Sequence, residues 1–140
     1  MLNIPDSPHK RIVIIGAGFA GINLAKKLAK KNFQLVLIDK NNYHQFQPLL
    51  YQVAMAGLEA SSIIFPLRKL FQKNKQVHIR ITEVTGVDTE KKRVATDLGE
   101  IYYDKLVIAT GATTNFFGNK TFEELTYGMK SLSESLALRN

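Results

Sequence analysis

Ile12-Val13-Ile14-Ile15 runs directly into Gly16-Ala17-Gly18-Phe19-Ala20-Gly21. No other feature constrains the fold as much as this junction. Four consecutive β-branched residues leave a strand no polar face, so it must be covered on both sides, as in a parallel sheet. From Phe19 to Lys31 the apolar period becomes helical. Gly21, Ala25, Leu28 and Ala29 share one stripe with Leu24 beside it, and lysines occupy the rest. Asn32 is the expected helix stop, because Asn tolerates left-handed backbone. Gln34 to Ile38 reads as a second buried strand ending at Asp39, which completes a βαβ unit over 11–39.

A GxGxxG pattern after a buried strand and at the head of a helix has the form of a dinucleotide fingerprint. Gly16 makes the tight turn, Gly18 lets the backbone approach a pyrophosphate, and Gly21 lets the helix lie close on the strand. The N–H groups at the helix start can hold phosphate oxygens, aided by about half a positive charge from the helix dipole. Asp39 lies 18 residues beyond Gly21. A carboxylate there can accept both hydroxyls of an adenosine ribose and would repel a 2′-phosphate, which favours FAD or NAD over NADP. Lys40 reads either as lining the ribose and adenine edge or as a surface lysine.

Asn41 to Ala60 has little periodicity, and a loop of that length in a compact domain is usually functional. Ser61 or Ser62 is the expected cap of a helix through Phe71 that Pro66 confines, giving a loop-and-helix region over 40–75. Val77, Ile79 and Ile81 alternate with polar residues. Turn signals at Asp88-Thr89-Glu90 and Asp97-Leu98-Gly99 then predict three antiparallel strands near 77–87, 91–96 and 100–103, an insertion spanning 77–103. A returning strand enters Thr110-Gly111 over 104–111, and 130–140 reads as a helix.

The chain has no cysteine, which excludes a disulfide scaffold, a thiolate metal site and a cysteine nucleophile within it. The net charge of +7 attracts anions without choosing among them. Lys26, Lys27, Lys30, Lys31 and Lys91, Lys92, Arg93 read as solvated faces. No basic stripe interleaves with aromatics, so nucleic acid is not the expected partner. With no apolar run near ~18 residues and no signal core, the expectation is a soluble intracellular chain.

The order of βαβ unit, loop, helix, antiparallel insertion and strand into Ala109-Thr110-Gly111 resembles the FAD-binding domain of two-dinucleotide flavoproteins, the glutathione-reductase-like class. Its fold is α/β: a Rossmann-like FAD/NAD(P)-binding domain whose parallel sheet carries a three-stranded antiparallel insertion. Within that class, Asn42-Tyr43-His44-Gln45-Phe46-Gln47-Pro48-Leu49-Leu50-Tyr51-Gln52-Val53-Ala54 resembles the corresponding segment of type II NADH dehydrogenases, the single-subunit NADH:quinone oxidoreductases. The resemblance extends through Ser62–Leu70 and 128–140. The missing cysteines set aside the disulfide reductases, and the loop residues set aside the sulfide:quinone reductases.

The resemblance implies that 1–140 is a partial FAD-binding domain, the N-terminal part of a longer chain. A second glycine-rich unit for NADH, the segment completing the flavin site and C-terminal amphipathic helices are expected beyond Asn140. It implies an enzyme that moves hydride from NADH to non-covalent FAD and two electrons on to a membrane quinone. That enzyme would sit peripherally on the cytoplasmic side of the inner membrane, with a homodimer among the allowed assemblies. The fragment is expected to be soluble and inactive alone.

By the same resemblance, Gly16, Ala17, Gly18, Phe19, Ala20 and Gly21 meet the pyrophosphate, and Asp39 and Lys40 meet the ribose. Val84 meets adenine through its backbone, and Thr110 and Gly111 lie near the pyrophosphate or ribityl chain. His44 reads as a structural residue of a packed loop rather than a flavin attachment point. Gln47 and Tyr51 are candidates to approach flavin or quinone, and no residue reads as an acid, base or nucleophile. A sulfide:quinone reductase-like flavoprotein and a non-catalytic dinucleotide-binding module are the alternatives.

Overall fold

The computed structural model describes residues 2–140. The chain forms β1 (Arg11–Ile15), α1 (Phe19–Leu28), β2 (Gln34–Asp39), β3 (Tyr43–Gln45), α2 (Leu50–Ala54), β4 (Ile64–Pro66) and α3 (Leu67–Leu70). It continues through β5 (Val77–Ile81), β6 (Val84–Asp88), β7 (Arg93–Thr96), β8 (Gly99–Tyr102), β9 (Lys105–Ile108), α4 (Lys120–Leu125) and α5 (Leu132–Arg139). These elements fall into two compact units. One holds the chain up to His44 with Pro66–Thr110, and the other holds Gln45–Phe65 with Gly111–Asn140.

The first unit is built on a parallel sheet of order β5-β2-β1-β9. β1 lies inside it, with Ile12 to Ile15 opposite Leu35 to Ile38 on one side and Lys105 to Ile108 on the other. Both faces are covered, as a run of β-branched residues demands. Ile12 and Ile14 pack with Ile22 and Ala25 of α1, with its cap Ala29, and with Leu67 and Phe71. Val13 and Ile15 pack with Val36, Ile38, Val94, Ile101 and Tyr103. Val13, Ile14, Leu35, Val36, Leu37 and Ile38 are completely buried, and each such side chain contributes about 1.5–3 kcal/mol of transfer free energy.

The structure corrects three expectations. Residues 77–81 do not begin the antiparallel insertion. β5 pairs parallel with β2, Leu35 opposite Val77 and Asp39 opposite Ile81, and the antiparallel sheet β6-β7-β8 starts only at Val84. Two-residue alternation marks a strand but not its partner. The switch occurs at Thr82-Glu83, where Asp97 accepts from the Thr82 hydroxyl and, at 3.1 Å, from the Glu83 N–H. The helix expected from Ser61 or Ser62 to Phe71 shrinks to α3, because a residue before proline is turned away from helical backbone and Pro66 caps the turn in extended conformation. Helix α1 ends at Leu28 with Ala29 as a right-handed cap, and Asn32 does not adopt positive φ.

The second unit buries Leu50, Val53, Ile63, Leu132 and Ser135. Gln45 ties its two stretches: its Nε2 donates to the Lys130 carbonyl at 2.8 Å and its Oε1 accepts from the Leu132 N–H at 3.0 Å. Ser131 and Glu134 close a capping box on α5. The Lys130 and Ser131 N–H groups hold the Glu134 carboxyl below its ordinary 4.5, Lys130 contributing most and partial burial opposing. A depressed carboxyl stabilises the fold fully above its ordinary value and loses that contribution as pH falls through the lowered one. Hydrogen exchange along α5, corrected for intrinsic rates, is therefore expected to show protection falling in that acid range. Glu134→Gln removes the dependence, and Ser131→Ala costs about 1 kcal/mol above that range.

Candidate functional site

Because β1, β2 and β9 are parallel, their C-terminal ends lie at one edge of the sheet, where α/β folds place ligands. Three turns meet there: Gly16–Gly21 after β1, Asp39-Lys40 at the end of β2 and Ala109-Thr110 after β9. Backbone bonds fix their spacing. The Gly16 N–H donates to the Ile38 carbonyl at 2.8 Å, and the Ala109 N–H donates to the Ile15 carbonyl at 2.7 Å.

The three fingerprint glycines answer to different demands. Gly16 has φ +102°, and a Cβ there would lie 2.3 Å from the Ala109 carbonyl oxygen. A Cβ on Gly21 would lie 1.9 Å from the Gly16 carbonyl oxygen and 3.4 Å from the Ile14 side chain. These two are required by the protein's own packing. Gly18 has an ordinary φ of −74°, and no protein atom lies within 4 Å of where its Cβ would be. Neither conformation nor packing within the chain requires glycine at 18.

Ala17 is engaged at both ends. Its N–H donates to Asp39 Oδ2 at 2.7 Å, and its carbonyl accepts from His44 Nδ1 at 3.0 Å. A carbonyl cannot donate, so the proton of neutral His44 sits on Nδ1. The Phe19 ring stands edge-on to His44 at 5.2 Å. Of the loop amides, that of Ala17 is thus directed to Asp39 rather than outward. The first turn of α1 has no side-chain cap at Gly18 and no acidic residue, and the positive end of the helix dipole lies there. This N-terminus suits an external anion.

Asp39 does more than the sequence suggested. Besides Ala17, its Oδ1 accepts from the Asn41 N–H at 2.8 Å, so it clamps the glycine loop to the end of β2. Each oxygen keeps a second lone pair for an incoming hydroxyl. Removing the clamp leaves the Ala17 N–H unsatisfied, and Asp39→Ala is expected to destabilise the fold by about 1–3 kcal/mol. Thermal melting of the variant without added ligand is the check, since a residue serving only a ligand would leave that melting point unchanged.

Lys40 pairs with Glu83 at 3.4 Å, both side chains exposed, an arrangement that contributes little to stability. The Thr82 N–H donates to the Asp39 carbonyl at 3.0 Å, which carries the chain from the end of β2 to Val84 at the start of β6. The structure therefore brings 16–21, Asp39, Lys40, Val84 and Thr110 into one unit. Gly111, with φ +72°, belongs to the other unit, as do Gln47 and Tyr51. Gln47 Nε2 donates to the Lys130 carbonyl at 3.1 Å, and Tyr51 Oη accepts from Gln52 at 3.0 Å. Sequence reasoning missed the His44–Ala17 and Asp39–Ala17 bonds. Both join residues more than twenty positions apart and leave no periodic signal.

A family model described as pyridine nucleotide-disulphide oxidoreductase matches residues 10–140. The type II NADH:quinone oxidoreductase Ndh of Mycobacterium tuberculosis is 41% identical over 139 residues, covering 96% of this chain and 30% of that protein. Among solved structures, NDH2 from Plasmodium falciparum in complex with NADH superposes with a TM-score of 0.85 at 26% identity, over 93% of this chain and 28% of that one. The sulfide:quinone oxidoreductase of Aquifex aeolicus superposes with a TM-score of 0.80 at 29% identity, over 93% and 30%. The chain spans about a third of the length of the curated relatives it matches.

Proposed function

Because this chain belongs to the pyridine nucleotide-disulphide oxidoreductase family, we propose that it is the FAD-holding N-terminal part of an NADH:quinone oxidoreductase. The observation that carries the reading is Gly18, where nothing in the fold itself requires a glycine, at the head of a helix with no side-chain cap. When bound, the flavin supplies hydride acceptance and electron transfer. The chain's own residues do the holding. The α1 N-terminus receives the pyrophosphate at Gly18, Asp39 receives the adenosine ribose, and the backbone of Val84 receives the adenine edge. Thr110 borders the pyrophosphate or ribityl chain. His44 acts at one remove, by fixing the Ala17 carbonyl.

The quinone and NADH assignments rest on relatives named type II NADH:quinone oxidoreductase at 41% and 38% identity. The longer protein is proposed to contribute the NADH site and to associate peripherally with the cytoplasmic side of a membrane. Among the described residues, no helix is long and apolar enough to cross one. The likeness to sulfide:quinone oxidoreductase sustains a second reading. With no cysteine here, sulfide chemistry would have to come from residues outside this chain.

Purification of the complete protein and of residues 1–140 tests the proposal. The complete protein is expected to be yellow, to be bleached by NADH and to pass electrons to a soluble quinone. The 140-residue chain is expected to be colourless and without turnover, since most apolar burial of the flavin ring is assigned to segments outside it. Bleaching by sulfide and not by NADH selects the second reading. A complete protein that binds no flavin overturns both.

A further inference from the structure

Away from the glycine loop, the outer edge of the parallel sheet carries positive charge with no carboxylate to meet it. β5 is the edge strand, and a groove of about 280 Å³ runs along it, lined in part by Arg68, Lys75, His78 and Arg80. Among the described residues, none of Arg68, Lys75 and Arg80 forms an ion pair. Arg80 is half-buried and held rigidly. Its Nε donates to the Leu2 carbonyl, Nη1 to the Ile79 carbonyl at 2.8 Å and Nη2 to the Asn3 carbonyl. Three carbonyl dipoles orient the guanidinium but leave its charge unbalanced, and two of its five N–H groups remain.

The strand adds a donor. The Gln76 carbonyl and the Thr82 N–H both face β2, at 2.9 and 3.0 Å from their partners. In a parallel ladder alternate residues face the same way, so Val77, Ile79 and Ile81 turn their backbone groups to the open edge. The Val77 N–H returns to the Asn74 carbonyl at 3.0 Å, and the Ile79 N–H points outward. The crowding of like charge has an electrostatic mark. Burial, then the Arg68 charge, lower Arg80, and burial, then Arg80 and Arg11, hold His78 below its ordinary value. No carboxylate enters either balance.

We propose that this groove binds a phosphate-bearing anion, with the fixed Arg80 fork and the Ile79 N–H as its floor and Arg68 and Lys75 closing over it. Guanidinium forks match phosphate oxygens in geometry, and placing an anion here relieves the repulsion among the cations. The shared ligand chemistry is a phosphate group, free in solution or on a lipid headgroup.

The test uses the 140-residue chain labelled with ¹⁵N and titrated with inorganic phosphate. Amide shifts are expected at Lys75 to Arg80, saturating in the millimolar range. Arg68→Gln and Lys75→Gln, both on exposed side chains, should each weaken binding roughly fivefold. Arg80→Lys keeps the charge and loses the fork, and should weaken it further, with an otherwise unchanged spectrum showing that the fold survives. Gly18→Val should leave these shifts intact, which separates this groove from the glycine loop. Sedimentation with phosphatidylcholine vesicles, with and without phosphatidylglycerol, assigns the source. Retention on the anionic vesicles that Arg68→Gln weakens and excess free phosphate abolishes selects a headgroup, and phosphate binding without retention selects a soluble anion. Shifts confined to 16–21, or spread evenly over Lys26–Lys31 and Lys91–Arg93, overturn the proposal, as does binding unaffected by all three groove variants.

Discussion

Gly18→Val in the complete protein is expected to yield a folded, colourless protein. The backbone at 18, with φ −74° and ψ −167°, is extended and open to any residue, and no protein atom lies within 4 Å of the added Cβ. The fold therefore tolerates the branched side chain, apart from the weaker cap valine makes. The proposed pyrophosphate does not. Each charge-assisted bond from backbone N–H to a phosphate oxygen contributes about 1.5–3 kcal/mol, so displacing even one weakens binding roughly ten- to hundredfold. The measurement is flavin per polypeptide alongside the melting curve. A variant that keeps stoichiometric flavin removes the site from this loop, whatever its stability.

Gly16→Ala, two residues away, is expected to do the opposite. It should fail as a fold, with or without flavin. At φ +102° an L-residue is strained by about 1–3 kcal/mol. Its Cβ would sit 2.3 Å from the Ala109 carbonyl oxygen, which is main chain and cannot rotate aside. Overpacking of that kind adds about 1–3 kcal/mol. Together these remove roughly 2–6 kcal/mol from a total stability of about 5–15 kcal/mol. Gly21→Ala should follow in the same direction, because its Cβ would lie 1.9 Å from the Gly16 carbonyl oxygen. Chemical denaturation of the 140-residue chain measures both against Gly18→Ala, which is expected to stay close to the parent. Equal stability for all three would mean that the β1–α1 turn does not have the geometry described.

Much of the central layer is legible in the sequence. Four β-branched residues in succession can only be a strand covered on both faces, and Ile12 to Ile15 are. The shift to a helical period at Phe19 and back to an apolar run at Gln34 gave α1 and β2 to within a few residues. The antiparallel turns at 88–90 and 97–99 were readable from their turn residues. What misled was β5. Its alternating residues look the same whether the partner is β2 or β7, and the Thr82-Glu83 crossing held by Asp97 separates the two sheets. The short helix α4 went unread because it runs only from Lys120 to Leu125 and buries no residue, so it has no apolar stripe to announce it.

At the candidate site the division is sharper. The residue types came from the sequence: three glycines at fixed spacing, a carboxylate at a strand end, an Ala-Thr-Gly turn. These follow from local chemistry, because backbone freedom, strand termination and helix initiation are decided within a few residues. That Gly16 is fixed by the fold while Gly18 stands clear of it was decided by the return of β9 to β1, which puts the Ala109 carbonyl against Gly16 and nothing against Gly18. The second role of Asp39, the tether of His44 to Ala17 and the uncompensated charge along β5 were likewise decided there. Each depends on side chains meeting main chain from distant parts of the sequence. Such bonds are directional and specific to one geometry, so the tertiary fold selects them and no local pattern encodes them.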